Sequence, residues 1–504
     1  MNSSRYDACV IGAGAEGLAA AIVLAKAGLR TAVIERSAQP GGRCATREFH
    51  PGFRASPFAD ELAPIPSNLY WKLGLARHGA FFLPAPLSTA IWPDRVDILD
   101  VSATSGASRL GTQVCDFQRS ILARAFREAE SPAPGWRFWS RSRSPAPPWP
   151  GAAWLRRTLD DIFHDRMLSE DQAAHLAAAA LAGRAVDPCL GGSALHLLAP
   201  GAGGSGLIVG GFASLANALI SAAREAGVEI VLGVEVSDVR HRQGRLQGVG
   251  LSNGTEMAAS VVVSSLDFKR TLLSLFTWNG LPAAVIRRAG EYRTNGGMAR
   301  VLLALERPPE LPATLVSPEI FRGPIYVAPD RAAFGAAYAS WRAGTIPEQP
   351  PAVLRLVSAL DPRLAPVGGA TMTVTLGCIP ARLFDGAWTR ERREHLLARA
   401  LAAAEKAVPG TRERVVGAEV IVPPDIEAEL GSTDGDLLGG EIAADQMFGF
   451  RPWGDPALAI SPRTPIDGLY LAGPSSAAGP FATCASGAIA AAAVIADRMA
   501  GRIR

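Results

Sequence analysis

The chain has 504 residues, 48% of them hydrophobic, with 50 basic against 47 acidic side chains and a formal net charge of +3. That length suits roughly two to four units of ordinary domain size with ample core, and the near-balanced charge excludes a nucleic-acid binder driven by a strong positive field. The six cysteines, Cys9, Cys44, Cys115, Cys189, Cys378 and Cys484, form no CxxC pair, so neither a zinc site nor a disulfide scaffold is expected, and no metal site. Basic residues are nearly all arginine; Lys26, Lys72, Lys269 and Lys406 are the only lysines.

Asp7 to Ile11 reads as a short buried strand, apolar on both faces. It begins so early that no signal peptide fits before it, and no uninterrupted apolar run is long enough to span a bilayer. A cytoplasmic location is therefore expected, with a peripheral membrane contact left open.

Gly12-Ala13-Gly14-Ala15-Glu16-Gly17 follows the strand, Leu18 to Ala27 reads as a helix, and Arg30 to Glu35 is a second strand ending in an acid. A GxGxxG between strand and helix, with an acid at this distance, is a dinucleotide-binding pattern. Gly12 permits the tight turn, Gly14 lets a pyrophosphate approach the backbone, and Gly17 lets helix and strand pack closely. Ala15 and Glu16 lie at the helix N-terminus, whose unpaired N–H groups and positive dipole end suit phosphate. Glu35 can accept hydrogen bonds from ribose hydroxyls, and Arg36 follows it directly.

A second glycine turn, Pro40-Gly41-Gly42-Arg43, comes straight after that acidic strand. Further on, Gly210-Gly211-Phe212 precedes a helix from Ala213 to Ala226, strands at Val228 to Leu232 and Val234 to Val239, a hairpin, and a strand at Ser260 to Ser264. Near the other end, Pro465 to Gly473 (PIDGLYLAG) reads as turn and strand, Gly473 begins a loop, and Gly487-Ala488 opens an Ala-rich helix through Ile489 to Met499. Small residues before a helix N-terminus suit close approach to a cofactor.

The Gly-Gly-Arg turn in this position resembles flavoproteins of the amine oxidase and phytoene desaturase superfamily. Longer stretches resemble its phytoene-desaturase-like members, and among them the branch of pyridine nucleotide-disulfide oxidoreductase domain-containing protein 2. They are Glu48 to Ser56 (EFHPGFRAS), Leu73 to Gly79 (LGLARHG), Ser358 to Gly368 (SALDPRLAPVG), Val415 to Gly431 and Asp445 to Pro452 (DQMFGFRP). The resemblance implies an α/β protein with noncovalent FAD in a Rossmann-like domain built from 1–75, 205–275 and 431–504. An inserted α+β substrate domain would comprise 76–204 and 276–430. It implies that Gly41, Gly42 and Arg43 lie along the pyrophosphate, although a surface cation at a turn is the plainer reading of Arg43. It also implies that Val236 meets the adenine through its backbone. The loop from Gly473 and the helix end at Gly487 and Ala488 would face the flavin, the helix dipole stabilising negative charge on it.

The activity implied is dehydrogenation or desaturation, with isomerisation as a variant, of an apolar isoprenoid, polyene or acyl-type small molecule by hydride transfer to flavin in an apolar tunnel. A homo-oligomer fits this reading but no motif demands it. Trp136, Phe138, Trp139, Trp149 and Trp154, with Arg137, Arg141, Arg143, Arg156 and Arg157, could form a membrane-facing mouth within 131–157; aromatics tucked into the protein are the plainer alternative.

Three departures stand out. Pro480, Phe481 and Cys484 intrude in the last loop, where relatives are glycine-rich. Gly439-Gly440-Glu441 stands where many relatives carry a histidine before the Asp445-Gln446 pair. Arg300, the weak catalytic candidate, occupies the place of a lysine linked in relatives to reoxidation by oxygen; a guanidinium does not shuttle protons readily. A plain strand-edge pairing of Arg300 stays open. So do a flavin-binding scaffold with little turnover and a flavin amine oxidase, the latter disfavoured by Arg300.

Overall fold

The computed structural model describes residues 5–59, 63–84, 87–91, 96–100, 106–131, 152–199, 206–242, 245–277, 280–310, 318–327, 331–454, 462–476, 479–480 and 482–503. Two seven-stranded sheets organise them.

In the first sheet the parallel strands run in the spatial order Glu229–Leu232, Thr31–Glu35, Arg5–Ile11, Glu256–Ser264 and Leu469–Leu471. The antiparallel hairpin Val236–Arg242 and Arg245–Leu251 extends from the early part of strand Glu256–Ser264. Strands buried on both faces need continuous apolar runs, and Ala8 to Ile11, Ala32 to Ile34 and Val261 to Val263 supply them. Helix Ala15–Lys26 is buried from Gly17 to Leu24 and packs against helices Phe212–Glu225 and Ala485–Met499. Close approach requires glycine at two points. A Cβ on Gly17 would lie 2.0 Å from the Gly12 carbonyl oxygen, and one on Gly487 only 1.9 Å from that of Glu16.

The second sheet runs in the order Val415–Ile421, Met298–Leu305, Ala370–Gly377, Ala352–Leu356, Ile325–Val327, Leu87–Ile91 and Val96–Asp100. Every neighbouring pair is antiparallel except Ile325–Val327 with Leu87–Ile91. Strict alternation along Ala370–Gly377 separates its two faces. Met372, Val374 and Leu376 join a core with Leu396, Ala400 and Ala404 of helix Arg390–Ala407. Thr371, Thr373 and Thr375 take the alternate positions and are buried as well. The ribbon Arg47–His50 and Phe53–Ala55, from the expected first cofactor segment, packs on this second sheet, with Arg47 paired to Glu419.

Trp154 is buried edge-on against Phe117, and Arg157 pairs with Asp165. The other aromatics of 131–157, with Arg137, Arg141 and Arg143, lie outside the described residues, as does Phe481. Among the described residues no helix is long and apolar enough to cross a membrane.

Candidate functional site

A cavity of about 890 Å³ lies between the two sheets. Gly12, Gly14, Ala15 and Glu16 line one end of it, with Glu35, Arg36, Gly41, Gly42, Arg43 and Val236. Arg300 lines it from the second sheet. Gly17, Gly473, Gly487 and Ala488 are set back from its surface: a Cβ on Gly473 would meet the Ser265 carbonyl oxygen at 2.9 Å.

The glycine end has the form of a phosphate cradle. Gly12 turns the chain at φ +94° as its N–H donates to the Ile34 carbonyl. The N–H of Gly41 donates to the Ala13 carbonyl, and Gly41 and Gly42 hold φ of +123° and +53°, a region open to glycine. A Cβ on Gly14 would point into open space, with nothing within 4 Å, and no side chain caps the helix beginning there. Backbone N–H groups at a bare helix start, facing a space without side chains, fit a dinucleotide pyrophosphate. Both Glu35 oxygens already accept backbone N–H groups, from Ala13 at 2.8 Å and Ser37 at 2.9 Å. Arg36 donates to the Ala428 carbonyl, and Arg43 at 2.8 Å to that of Leu437. Arg43 is thus no plain surface cation; it links the glycine turn to the segment below the cavity.

Glu16 has an unforeseen task. Its two carboxyl oxygens accept the N–H groups of Cys484 and Gly487, each at 2.8 Å. The N-terminus of helix Ala485–Met499, expected to face the flavin, is therefore met by a buried carboxyl group. Burial pushes the Glu16 pKa up from 4.5 to about 7, against the opposing pull of these N–H groups and Arg43. An acid whose pKa is raised on folding holds its proton longer in the folded state. Its contribution to stability is fullest below about pH 4.5 and is lost as pH rises towards 7. Thermal unfolding of the FAD-free protein should then decline less steeply between pH 5 and 7 in Glu16→Gln than in wild type; equal slopes would refute the assignment.

The far wall was only partly anticipated. Arg300 is fully buried on the second of seven strands, not at a sheet edge, and its Nη1 donates to Thr375 Oγ1 at 3.3 Å. Arg355 and Arg184, 4% and 8% exposed, line the same end, as does His196. His196 lies beside the Ile442 backbone, close to where the relatives' histidine is missing, and its buried Nδ1 has no hydrogen-bond partner among the described residues. Burial, and then the Arg184 charge, push its pKa down to about 3, so the ring is neutral. Asp436, also in the lining, accepts the N–H groups of Asn295 and Leu438, and burial raises its carboxyl pKa to about 6. No lysine is among the lining residues.

The parallel sheet, its glycine cradle and the cavity between the sheets define a dinucleotide-binding enzyme. A family model described as FAD dependent oxidoreductase (DAO) matches residues 7–292, more than half of the chain. The chain belongs to that family and is an FAD-dependent oxidoreductase. It is 26% identical to pyridine nucleotide-disulfide oxidoreductase domain-containing protein 2 of Rattus norvegicus, over 93% of this chain and 90% of that protein. It is 24% identical to a neurosporene-forming phytoene desaturase of Rhodobacter capsulatus, over 92% and 89%. An oxidoreductase structure from Methanosarcina mazei matches the fold with a TM-score of 0.59 at 17% identity, covering 97% of this chain and 99% of the other.

Proposed function

We propose that the protein dehydrogenates a carbon-chain substrate of isoprenoid, polyene or acyl type. The observation that carries this reading is the make-up of the cavity beyond the cradle. Ala182, Ala185, Val186, Met298, Leu438 and Ile442 supply small and apolar surface there, and no lysine is present. Such walls bind, orient and exclude water, which is what removal of hydrogen from unactivated carbon asks of a protein. Bound FAD supplies the two-electron acceptor. Gly12, Gly14, Ala15, Gly41 and Gly42 would hold its pyrophosphate, with Arg43 and Glu35 beside them and Val236 at the adenine end. Neutral His196 and Asp436 are the titratable groups able to take or hold a proton near the substrate. The phytoene desaturase among the relatives agrees with the reading. A discontinuous cofactor domain, an inserted substrate domain and a peripheral approach to a lipid surface belong to the same proposal.

The test is anaerobic mixing of FAD-loaded protein with polyene, isoprenoid and acyl compounds. Bleaching of the flavin band, with a product two hydrogens poorer, is the expected result. Bleaching by amines alone would overturn it.

A further inference from the structure

We propose that Arg184, Arg300 and Arg355, with His196, form a subsite for an oxyanion head group, so that the substrate is an acidic amphiphile and not a hydrocarbon. The inference rests on the dehydrogenase reading for the role of the rest of that molecule.

Sheet register places the cations. Arg300 lies opposite Thr375 on strand Ala370–Gly377, and Arg355 lies opposite Thr373 of the same strand. The two arginines therefore flank one strand from either side, two residues apart along it, and on the same face. Arg184 follows helix Glu170–Leu181, and its carbonyl accepts the N–H of Cys378 just past the end of that strand. Three elements distant in sequence thus bring three buried guanidiniums to one end of one cavity.

The chemistry of that wall favours an anion. A guanidinium keeps its charge at any physiological pH, and its planar fork matches carboxylate and phosphate oxygens. Taking several such charges out of water is costly, and a hydrocarbon in the cavity would do nothing to offset it. His196 adds an independent observation. Its Nδ1, buried and without a partner among the described residues, is a polar atom awaiting a ligand group. A ring held neutral adds no charge to the wall, so Nδ1 is suited to a hydrogen bond with the head group or an adjoining hydroxyl. The glycine cradle belongs to the other sheet, which leaves these four side chains for the substrate and not the cofactor phosphates.

The probes are a medium-chain fatty carboxylate below its micelle concentration, its methyl ester, the matching alkyl phosphate and the parent hydrocarbon. Each is titrated into FAD-loaded protein while perturbation of the flavin absorption band is followed. The carboxylate or the phosphate should bind at least about tenfold more tightly than ester and hydrocarbon, and whichever of the two is stronger identifies the head group. Arg300→Gln and Arg355→Gln should each weaken that binding by about tenfold or more while FAD content and the weak ester binding stay unchanged. Equal binding of acid and ester, unaltered acid binding in both variants, loss of FAD from the variants, or no perturbation by any probe would each overturn the subsite. Should a variant fail to fold, competition decides: inorganic phosphate must displace the carboxylate from wild type, and a failure to compete refutes the proposal. A hydrocarbon that reduces the flavin as well as the acid does would leave the dehydrogenase reading standing and remove the subsite. Tight anion binding without reduction by any chain would do the reverse.

Discussion

Gly14→Val should yield a folded protein that has lost its FAD, with affinity lowered by about a hundredfold or more, that is by at least about 2.7 kcal/mol. The backbone at Gly14 has φ −76° and ψ 177°, which any residue adopts, so the substitution adds no backbone strain. Its new Cβ would point into open cavity, with nothing within 4 Å. The branched side chain then stands over the helix N–H groups that a pyrophosphate must reach. Gly17→Ala makes the contrast, because its Cβ would sit 2.0 Å from the Gly12 carbonyl oxygen and 3.2 Å from Ser265 Oγ. That variant should damage the fold itself. Flavin retained after desalting, measured beside thermal unfolding of the FAD-free protein, separates the two. A Gly14→Val protein that keeps its flavin would show that the cradle is not where the pyrophosphate lies.

The largest loss of stability is expected from Asp497→Ala, at about 3–5 kcal/mol. Asp497 and Arg463 are 6% and 8% exposed at their side chains and form a two-pronged pair, Nε to Oδ2 at 2.7 Å and Nη2 to Oδ1 at 3.0 Å. Tyr470 donates its hydroxyl to the same Oδ2 at 2.8 Å, and burial together with the Asp497 charge raises the phenol pKa well above its ordinary value. Removing the carboxylate strands a buried guanidinium and a buried phenol together, which costs far more than the pair contributes net. Tyr470→Phe should cost only about 1 kcal/mol. Denaturant unfolding of the FAD-free proteins measures both; a loss below about 1 kcal/mol for Asp497→Ala would contradict the argument.

The parts of the molecule legible in the sequence are those whose signal is local. Gly12, Gly14, Gly17 and Glu35 announce themselves because turn, helix start and acid fall within one strand–helix–strand unit. Helix ends moved by only a few residues; the helix expected from Gly487 begins at Ala485 and that from Leu18 at Ala15. The far wall was not legible because its pieces come from separate elements. Arg184 follows a helix, His196 sits in the short helix Ser193–Leu198, and Arg355 on a five-residue strand. None has a motif around it. One usable signal was passed over: the alternation Thr371, Thr373, Thr375 against Met372, Val374, Leu376 marks a strand with one polar face, and Arg300 pairs beside it. Glu16 was read as a cofactor contact because its partners, 468 and 471 residues away, cannot be seen from spacing.

That same long reach sets the order in which the protein can be made. Strand Arg5–Ile11 and helix Ala15–Lys26 leave the ribosome first, yet helix Ala485–Met499, which covers them, leaves last. At ordinary translation rates the interval is on the order of tens of seconds. Throughout it, the apolar face from Leu18 to Leu24 lacks its final cover, and Glu16 has no helix end to hold. The nascent cradle must therefore be sheltered by earlier-folding neighbours such as helix Phe212–Glu225, or by chaperones, and its closure around the flavin is a late event in biosynthesis.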